Sequence, residues 1–270
     1  MFVKRNANTT ELVGLSFGDG GLTFRNNSKR VKFQLRGDLR EEKENYEKHI
    51  APLFNKEVML PLFGRKVGFV FNKRMNFYGI SVESVKIEKP LNYLGIPSGV
   101  KKELFIPEWI KNNKNYSKLF LRGYFDTDGS VSCQRNYSIK NNKYHTQIRI
   151  YLVSTSKNLM DEISKILSNY NFKFIFDSRE PPSNDGFKRQ KSYRIKICGG
   201  IQVDKWFKEI GSKSQKHLTK YFIWKKFGFC PPHTTLIERK KMLKNTLSPY
   251  NSYTRVCQSG QMSIVKADVA

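Results

Sequence analysis

Two segments of the sequence end in a carboxylate whose position suits metal chemistry. Residues 12–20 read LVGLSFGDG and residues 121–129 read LRGYFDTDG, so Asp19 and Asp128 each occupy the eighth position of their segment. Each segment is apolar enough to form a helix, and the partial negative charge at a helix C-terminus repels a carboxylate. Two acids there need a cation, and oxygen ligands without nearby histidine or cysteine suit a hard ion such as Mg²⁺. The two aspartates are therefore candidate ligands of a divalent metal ion.

Small residues in the same segments predict that the two helices pack against each other. Gly14 and Gly18 lie one helical turn apart, as do Gly123 and Thr127. Faces made of small residues allow two helices to approach almost backbone to backbone. This contact would bring the two carboxylates together at one end of the helix pair.

The paired segments resemble the LAGLIDADG motif of the homing endonucleases and the related intron maturases. The resemblance continues through residues 106–110 and 119–131, which are similar to the entry into the second repeat of single-chain members, and through residues 221–228. One motif alone would be weak support, because short apolar stretches ending in Asp-Gly also cap helices. Two copies in register, each followed by strand-like sequence, are a specific signal.

The resemblance implies an α+β fold of two pseudo-symmetric αββαββα repeats. Each repeat would be an antiparallel sheet with helices on one face, and the two sheets would form a DNA-binding saddle within a monomer. We expect residues 1–112 to hold the first repeat with a connecting segment, and residues 113–270 the second repeat with C-terminal helices. Residues 83–116 contain three prolines but also apolar clusters, which predicts a short helix and packed loops.

Alternating sequences predict strands with one apolar face and one basic face. In residues 31–36, 147–152 and 193–197, apolar residues alternate with residues that are mostly Arg, Lys, Gln or Tyr, whereas acidic residues collect in predicted helices. Helices covering the apolar faces would leave basic faces outward, and such a β-surface can enter the DNA major groove. A single strand of this kind is more typical of an ordinary half-solvated sheet, so the prediction depends on all three.

Long cations and amides also fill the predicted loops, where Arg or Lys can read guanine and Asn or Gln can read adenine. The predicted DNA-binding residues are Arg25, Asn27, Lys29, Arg30, Lys32, Gln34, Arg36, Arg65, Lys66, Lys73, Arg74, Gln134, Arg135, Tyr137, Lys140, Lys143, Gln147, Arg149, Tyr151, Arg179, Lys188, Arg189, Lys191, Arg194 and Lys196. Which of them read bases and which contact phosphates depends on the target sequence.

The composition supports a nucleic-acid partner independently of the motifs. The chain has 49 Lys and Arg against 23 Asp and Glu, a net charge of +26 and a pI of about 9.9. Charge alone leaves a ribosome-associated or membrane-surface protein open. A hydrophobic content of 39% is enough for a folded core, so the charge belongs to a surface and not to a disordered tail.

The sequence also predicts where the protein works. No apolar run is long enough to span a membrane, and the N-terminus lacks the hydrophobic region of a secretion signal. We therefore expect an intracellular protein without a membrane partner, in a prokaryotic cytoplasm or an organelle matrix. Four scattered cysteines, Cys133, Cys198, Cys230 and Cys257, have neither zinc-site nor disulfide-framework spacing, which favours reduced thiols.

The resemblance implies hydrolysis of DNA phosphodiesters assisted by a divalent cation, without a protein base. The expected catalytic residues are Asp19, Asp128 and Lys196, and the expected metal ligands are Asp19, Asp128, Gly18 and Thr127. Mg²⁺ or Mn²⁺ is the expected cofactor, and Ca²⁺ could occupy the site without supporting cleavage. The family pattern maps accessory polar positions to Arg36 and Thr155, and the strand over residues 77–82 offers no lysine, so we expect two unequal active sites.

Asp126 and the histidines are interpreted as structural residues. Asp126 is the sixth residue of its motif, where the first motif has Phe17, so a shared ligand role is disfavoured. We expect Asp126 to bond nearby backbone or the opposite helix. The four histidines lie far from both motifs along the chain and are interpreted as surface or packing residues.

The predicted function is a site-specific endonuclease that makes double-strand breaks in DNA, is encoded in an intron and promotes intron homing. An intron maturase on the same fold remains open, with the chain's own intron RNA as partner, although both acids favour a nuclease. A non-catalytic DNA-binding regulator also remains open, but no helix-turn-helix module is evident. An intein-embedded endonuclease is less favoured, because the chain starts only a few residues before the first motif.

Overall fold

The computed structural model describes residues 3–24, 31–99, 101–138, 143–180 and 190–251, which contain two four-stranded antiparallel sheets. The first half of the chain runs through α1 (Ala7–Gly18), β1 (Gly20–Phe24), β2 (Val31–Asp38), a helical segment over residues 43–63, β3 (Gly68–Asn72) and β4 (Phe77–Glu83). Its strands lie in the order β1-β2-β4-β3. The outer strands are therefore the first and third along the chain.

The second half repeats this succession of elements. It runs through α7 (Lys114–Asp128), β5 (Gly129–Gln134), β6 (Gln147–Ser154), α8 (Lys157–Asn169), β7 (Ile175–Arg179), β8 (Ser192–Cys198), α9 (Gly200–Glu209), α10 (Gln215–Phe227) and α11 (Leu236–Leu243). The strand order β5-β6-β8-β7 matches that of the first sheet. The predicted α+β fold of two αββαββα repeats is confirmed. Within the described residues, no helix has the length and apolar character needed to cross a membrane.

The helical segment between β2 and β3 contains two wider, π-helical stretches. It is built from α2 (Lys43–Asn45), π-helical Tyr46–Ile50, α3 (Ala51–Phe54), π-helical Asn55–Met59 and α4 (Leu60–Phe63). Each π-helical stretch comes just before a proline, Pro52 or Pro61, which has no amide hydrogen to donate to the preceding turn. The wider π-helical turns accommodate the two prolines without breaking the helix. The segment ends at Gly64, whose φ is +64°.

The connector between the sheets (residues 84–113) is short of regular structure but well packed. It holds a 3₁₀ turn (Val85–Ile87) and two short helices, α5 (Glu88–Leu94) and α6 (Glu108–Lys111). Leu91 and Ile106 are buried, and the Leu22 amide of β1 donates to the Pro97 carbonyl at 3.1 Å. The predicted short helix with packed loops is confirmed, and the connector is held against the first sheet.

Both sheets have one apolar face and one polar face, as the alternating sequences predict. Phe33 and Leu35 of β2 are buried, as are Ile150 and Leu152 of β6, while the residues between them are partly exposed. Phe33 stacks on Phe54 of α3 with ring centroids 5.1 Å apart, and α8 and α9 pack on the second sheet. The polar faces are therefore those that the helices leave uncovered.

The C-terminal helix α11 reaches back to the first half of the chain. The buried guanidinium of Arg239 pairs with Glu41, whose other carboxylate oxygen accepts a hydrogen bond from the Leu236 amide at 3.0 Å. Lys240 pairs with Glu44 one turn further on. These contacts tie the end of the second half to the helical segment of the first. The weakly periodic residues beyond 251 lie outside the described part of the chain.

Candidate active site and DNA interface

The two motif helices, α1 and α7, pack along their small residues as predicted. A Cβ built on Gly14 would lie 2.2 Å from the Phe120 carbonyl oxygen, and one built on Gly123 would lie 2.3 Å from the Glu11 carbonyl oxygen. Favourable contacts between carbon atoms require about 3.5–4.0 Å. Neither position can therefore hold a side chain, and the helices meet backbone to backbone.

A buried ion pair fastens the same two helices. Arg122 of α7 donates to Glu11 of α1 through Nη2 at 2.5 Å and Nε at 3.2 Å, and His49 Nε2 lies 2.8 Å from Glu11 Oε1. Burial by itself would raise the pKa of Glu11, but the hydrogen bonds with His49 and Arg122 outweigh it and hold this pKa below its ordinary value. His49 thus has a packing role, as expected.

The helix pair brings the two motif acids to its shared C-terminal end. Asp19 caps α1 and Asp128 is the last residue of α7. A Cβ built on Gly18 would lie 2.0 Å from Thr127 Oγ1 and 3.2 Å from Asp128 Cγ, which shows how closely the two chain segments approach. The two candidate metal ligands therefore lie at the same end of the helix pair.

Both carboxyl groups are difficult to ionise in this setting. Burial raises the pKa of Asp19 to about 8, and the Glu42 and Asp128 carboxylates add to the rise. Desolvation also raises the pKa of Asp128 to about 6, in a side chain that is surrounded by protein yet still reached by solvent. Lys101 and Lys216 oppose both shifts. A cation held between the acids would relieve the repulsion, so the electrostatics suit a metal ion.

Lys101 of the connector lies at this end of the helices and was missed by the sequence reasoning. Its Nζ donates to the carbonyl oxygens of Ser16 at 2.9 Å and Phe17 at 3.0 Å, and also to that of Gly18. A lysine at a helix C-terminus satisfies the last carbonyls and offsets their negative charge. Burial lowers the pKa of Lys101, while the two motif acids oppose that shift.

Lys216 of α10 is the counterpart of Lys101 in the second repeat. Its Nζ lies 2.7 Å from Glu42 Oε1. Glu83 ends β4 and Lys101 follows 18 residues later; Cys198 ends β8 and Lys216 follows 18 residues later. This equal spacing is the signal that could have found both lysines. Each repeat therefore supplies one lysine. The expectation of two unequal active sites was based on a missing lysine in the first repeat, and Lys101 fills that place.

The donor atoms fit a hard divalent cation that also needs a substrate. Asp19 and Asp128 offer carboxylate oxygens, but the described residues include no cluster of three or more His, Cys, Asp and Glu that could hold a metal ion. Two carboxylates leave most of the six or more positions around such an ion to other oxygens. DNA phosphate oxygens and waters would have to fill them.

The structure places the remaining predicted metal ligands in other hydrogen bonds. The Gly18 carbonyl accepts from Lys101, and the Thr127 hydroxyl donates to the carbonyls of Gly123 and Tyr124 at 3.3 and 3.0 Å. The hydroxyl of Thr127 is thus engaged within its own helix. Metal ligation by Gly18 and Thr127 stays a prediction.

Among the further residues that the family pattern assigns to the active sites, Lys196 and Arg36 lie on the sheets and Thr155 directly follows β6. Lys196 of β8 has its Nζ 3.7 Å from Asp177 Oδ2, and Lys196 is not among the charges that shift the pKa of Asp19 or Asp128. The Arg36 guanidinium lies over the Phe77 ring, 4.6 Å from its centroid. Catalytic or accessory roles for Lys196, Arg36 and Thr155 stay predictions.

Asp126 is a structural residue, as its unmatched position in the motif indicates. Its buried carboxylate accepts hydrogen bonds from the Lys213 amide at 2.8 Å and from the Ser212 hydroxyl. Burial raises its pKa to about 6, against the effect of these bonds. Asp126 therefore fixes α7 to the loop that leads into α10, and so helps to position Lys216.

The polar face of the second sheet carries an organised set of side chains. Arg149 donates to Gln134 Oε1 at 2.5 Å and to Gln147 Oε1 at 2.8 Å, and Gln134 Nε2 donates to the Tyr151 hydroxyl at 3.0 Å. The two amides hold the guanidinium in one orientation, which lowers the entropy cost of a later contact. This face is suited to recognising a planar or phosphate-bearing ligand.

Asp177 departs from the predicted separation of cations on strands and anions on helices, as do Asp38 and Glu83 at the ends of β2 and β4. Asp177 lies on β7 and forms a two-pronged pair with Arg194 of β8, with Nη2 2.8 Å from Oδ2. The Arg194 guanidinium is also 5.5 Å from the Tyr151 ring centroid. Part of the basic charge on this sheet is therefore neutralised within the protein.

The first sheet offers buried polar atoms that lack protein partners. Gln34 Oε1 and Arg36 Nε on β2 are inaccessible to solvent and make no hydrogen bond with any residue that the structure describes. Buried polar atoms are normally satisfied, so such atoms point to a ligand or water that completes them. Lys32 on the same face is partly exposed.

The other predicted DNA-binding residues fall into two groups. Those on loops and sheet edges are exposed, namely Arg65, Lys66, Lys73, Arg74, Arg135, Tyr137, Lys143, Arg179 and Lys191. Outside the described residues lie Arg25, Asn27, Lys29, Arg30, Lys140, Lys188 and Arg189. Exposure agrees with a binding role but does not distinguish it from simple solvation.

One segment of the chain is similar to the LAGLIDADG family. Residues 115–211 match the family model described as the LAGLIDADG-like domain. That range contains the second motif and the second sheet, and the first half of the chain repeats the same succession of elements around the first motif. The resemblance predicted from the two motifs is therefore confirmed.

Solved structures with this fold include three single-chain homing endonucleases. I-DmoI in complex with DNA and Mn is 20% identical, with a TM-score of 0.50, and the match covers 76% of this chain and 96% of that one. A point mutant of I-SmaMI is 13% identical, with a TM-score of 0.51 and coverage of 94% and 97%. I-GzeII in complex with its DNA target is 12% identical, with a TM-score of 0.50 and the same coverage. At these identities the likeness shows the fold.

A curated relative matches part of the chain. The replication factor C small subunit of Methanocaldococcus jannaschii is 28% identical over 171 residues, which cover 59% of this chain. The matched segment is 9% of the length of that protein. The likeness concerns one segment of a much longer protein, so it carries no argument about the activity of this chain.

Removing the Asp19 charge should stabilise the metal-free protein at alkaline pH. Folding raises the pKa of Asp19 from 3.8 to about 8, so the folded state binds more protons between these values and stability falls as pH rises. The asparagine of Asp19→Asn does not ionise. The free energy of unfolding of this variant should therefore exceed that of wild type by on the order of 2–3 kcal/mol at pH 8 but by little near pH 4. Thermal unfolding in EDTA at both pH values checks this. A variant that is no more stable than wild type at pH 8 would contradict the assigned burial.

Proposed function

We propose that this chain is a site-specific DNA endonuclease that makes double-strand breaks with the help of divalent cations. The single observation that carries the proposal is the meeting of Asp19 and Asp128 at the end of α1 and α7, beside Lys101 and Lys216. Two desolvated carboxylates with two ammonium groups bind a hard cation together with a phosphate. The test is cleavage of target DNA in Mg²⁺ that EDTA abolishes.

Asp19 and Asp128 would hold the metal, with Mg²⁺ or Mn²⁺ as active ions and Ca²⁺ as an ion that supports binding only. A bound divalent cation would supply an activated water and neutralise charge on the leaving oxygen. Lys101 and Lys216 lie where negative charge from a DNA phosphate would gather, and their positive charges would stabilise it through space. Because each repeat gives one aspartate and one lysine, each DNA strand would meet an equivalent set.

The uncovered sheet faces would bind the duplex. Arg149 is held by Gln134 and Gln147, and Gln34 and Arg36 carry buried atoms without partners. DNA would bind the accessible polar groups of these side chains, and the net charge of +26 would draw the chain to phosphates. A monomer with internal pseudo-twofold symmetry would place one sheet on each half of a long target. Promotion of intron homing follows if the gene lies in an intron.

Intron RNA is the second candidate ligand, because the same basic faces would also attract RNA. The paired acids favour DNA cleavage, since RNA binding alone gives no reason to place two carboxylates beside each other. Competition between a target duplex and structured RNA for the wild-type chain distinguishes the two. Preference for RNA by tenfold or more, without DNA cleavage, would move the maturase function ahead.

Arg149→Ala should weaken DNA binding by about tenfold, because a pre-oriented guanidinium contact contributes on the order of 1–3 kcal/mol. If the lost contact is to phosphate, the slope of log affinity against log salt should also fall by about one. The measurement is a binding isotherm at several salt concentrations. Lys208→Ala is the matched control. It also removes one cation, but Lys208 is an exposed residue of α9, the helix that packs on the opposite, apolar face of the sheet. Equal effects in the two variants would contradict the sheet as DNA surface.

A further inference from the structure

Two of the cysteines line one cavity and have no part in the proposed nuclease chemistry. Cys133 is on β5, and Cys230 lies between α10 and α11. The cavity has a volume of about 470 Å³, and its walls also include Lys216, Lys220 and Arg239. Cys230 belongs to a small buried cluster with Ile223 and Met242, and Cys133 packs against that cluster. Two thiols from distant parts of the chain therefore meet at one solvent-connected site.

The surroundings of the two thiols shift their pKa values in opposite directions. Cys133, Arg239 and Lys220 lower the pKa of Cys230 against the effect of burial, and Cys230 Sγ donates to the Pro231 carbonyl at 3.8 Å. The neighbouring Cys230 and burial raise the pKa of Cys133. Cys230 is thus the thiol that loses its proton more readily and can act as the nucleophile, and Cys133 is the thiol that keeps its proton. Reactive dithiols divide these roles in the same way.

Lys220 gives an independent reason to assign a charge to this cavity. Its ammonium is largely surrounded by protein, and among the residues that the structure describes no ion pair with Lys220 is present. Burial and the neighbouring Arg239 lower the pKa of Lys220, while Cys230 and, to a smaller extent, Glu41 oppose that shift. Arg239, in contrast, is paired with Glu41. A thiolate at Cys230 would be the local counter-charge of Lys220.

We propose that Cys133 and Cys230 form a redox-active dithiol that closes to an internal disulfide by exchange with a small disulfide such as oxidised glutathione. The Cys230 thiolate attacks one sulfur of the small disulfide, forms a mixed disulfide and releases one thiolate. That thiolate takes the Cys133 proton, and the Cys133 sulfur then attacks the Cys230 sulfur and releases the second small thiolate. Two electrons pass from the protein to the small disulfide, which leaves as one thiol and one thiolate, and the thiolate then takes a proton from water.

Thiol counting on the full chain tests the proposal. The protein is equilibrated with mixtures of reduced and oxidised glutathione, quenched, alkylated and weighed, and its peptides are mapped. As the oxidised fraction rises, two of the four cysteines should become resistant to alkylation and one crosslinked peptide should join Cys133 to Cys230. Four alkylatable thiols at every ratio, or a bridge that includes Cys198 or Cys257, would overturn the proposal.

Variants separate the two steps. Cys133→Ser should stop at a mixed disulfide on Cys230, seen as the added mass of one glutathione, whereas Cys198→Ser should close like wild type. Closure joins segments far apart in the chain, so the oxidised wild type should need more urea to unfold than oxidised Cys133→Ser. A Cys133→Ser protein that gains no adduct while wild type closes would refute Cys230 as the attacking residue. The peptide map of wild type decides the main point even if a variant does not fold.

Discussion

Asp19→Asn should lower the rate of Mg²⁺-dependent cleavage by about 10³-fold or more while leaving DNA affinity within about threefold, since metal assistance supplies several kcal/mol to such a reaction. The carboxylate lies at the end of α1 with Asp128 and has no part in the sheet faces proposed to bind DNA. Cleavage of a plasmid carrying the target, measured beside binding of the same sequence in Ca²⁺, gives both quantities.

Asp128→Asn should behave in the same way, and either single variant retains one intact aspartate. Residual activity should therefore appear as nicking of one strand and not as linear product. Asp161→Asn on α8 is the matched control, because its carboxylate pairs only locally with Lys157 at 2.7 Å. Full double-strand cutting by Asp19→Asn or Asp128→Asn would remove that carboxylate from the mechanism.

Gly14→Ala should cost roughly 3 kcal/mol of folding free energy or more, at the upper end of overpacking effects. The added Cβ would lie 2.2 Å from the Phe120 carbonyl oxygen and 3.0 Å from the Tyr124 nitrogen. Both neighbours are backbone atoms of α7, so neither can move without separating the helices. Urea unfolding followed by circular dichroism gives the change in free energy.

Gly68→Ala is the control for this prediction. Gly68 lies on β3 with nothing within 4 Å of a built Cβ, and it has no positive φ, so alanine should change stability by less than about 1 kcal/mol. Separation of the helices by Gly14→Ala should also spread Asp19 from Asp128, so the folded fraction should lose cleavage as well as stability. A Gly14→Ala protein as stable as Gly68→Ala would contradict backbone contact between the helices.

Much of the fold follows from local patterns in the sequence. The small-residue faces of the two motifs predicted the contact between α1 and α7, and alternation predicted the apolar face of β2 and β6. Both signals act over a few residues and need no knowledge of the rest of the chain. The repeated order of elements then fixed two sheets of the same topology. Asp126 was interpreted correctly because its position lacks an acidic counterpart.

The residues missed by sequence reasoning owe their positions to contacts between distant segments. Lys101 reaches α1 from the connector, which is held there by the bond between Leu22 and Pro97. Lys216 is placed by α10, which the loop bonded to Asp126 orients. Nothing in the local sequence of either lysine marks it among 49 cations; only the equal spacing after the last strand of each repeat does. Burial, which sets the pKa of Asp19, is likewise invisible before the helices are assembled.

The most direct test of the central claim is cleavage of a randomised plasmid target library by the wild-type chain in Mg²⁺, with Asp19→Asn run in parallel and the ends of linear products sequenced. Cutting at one long site, lost in EDTA and in the variant, is the expected result. A library that stays intact in both Mg²⁺ and Mn²⁺, or that Asp19→Asn cuts as well as wild type, would contradict it.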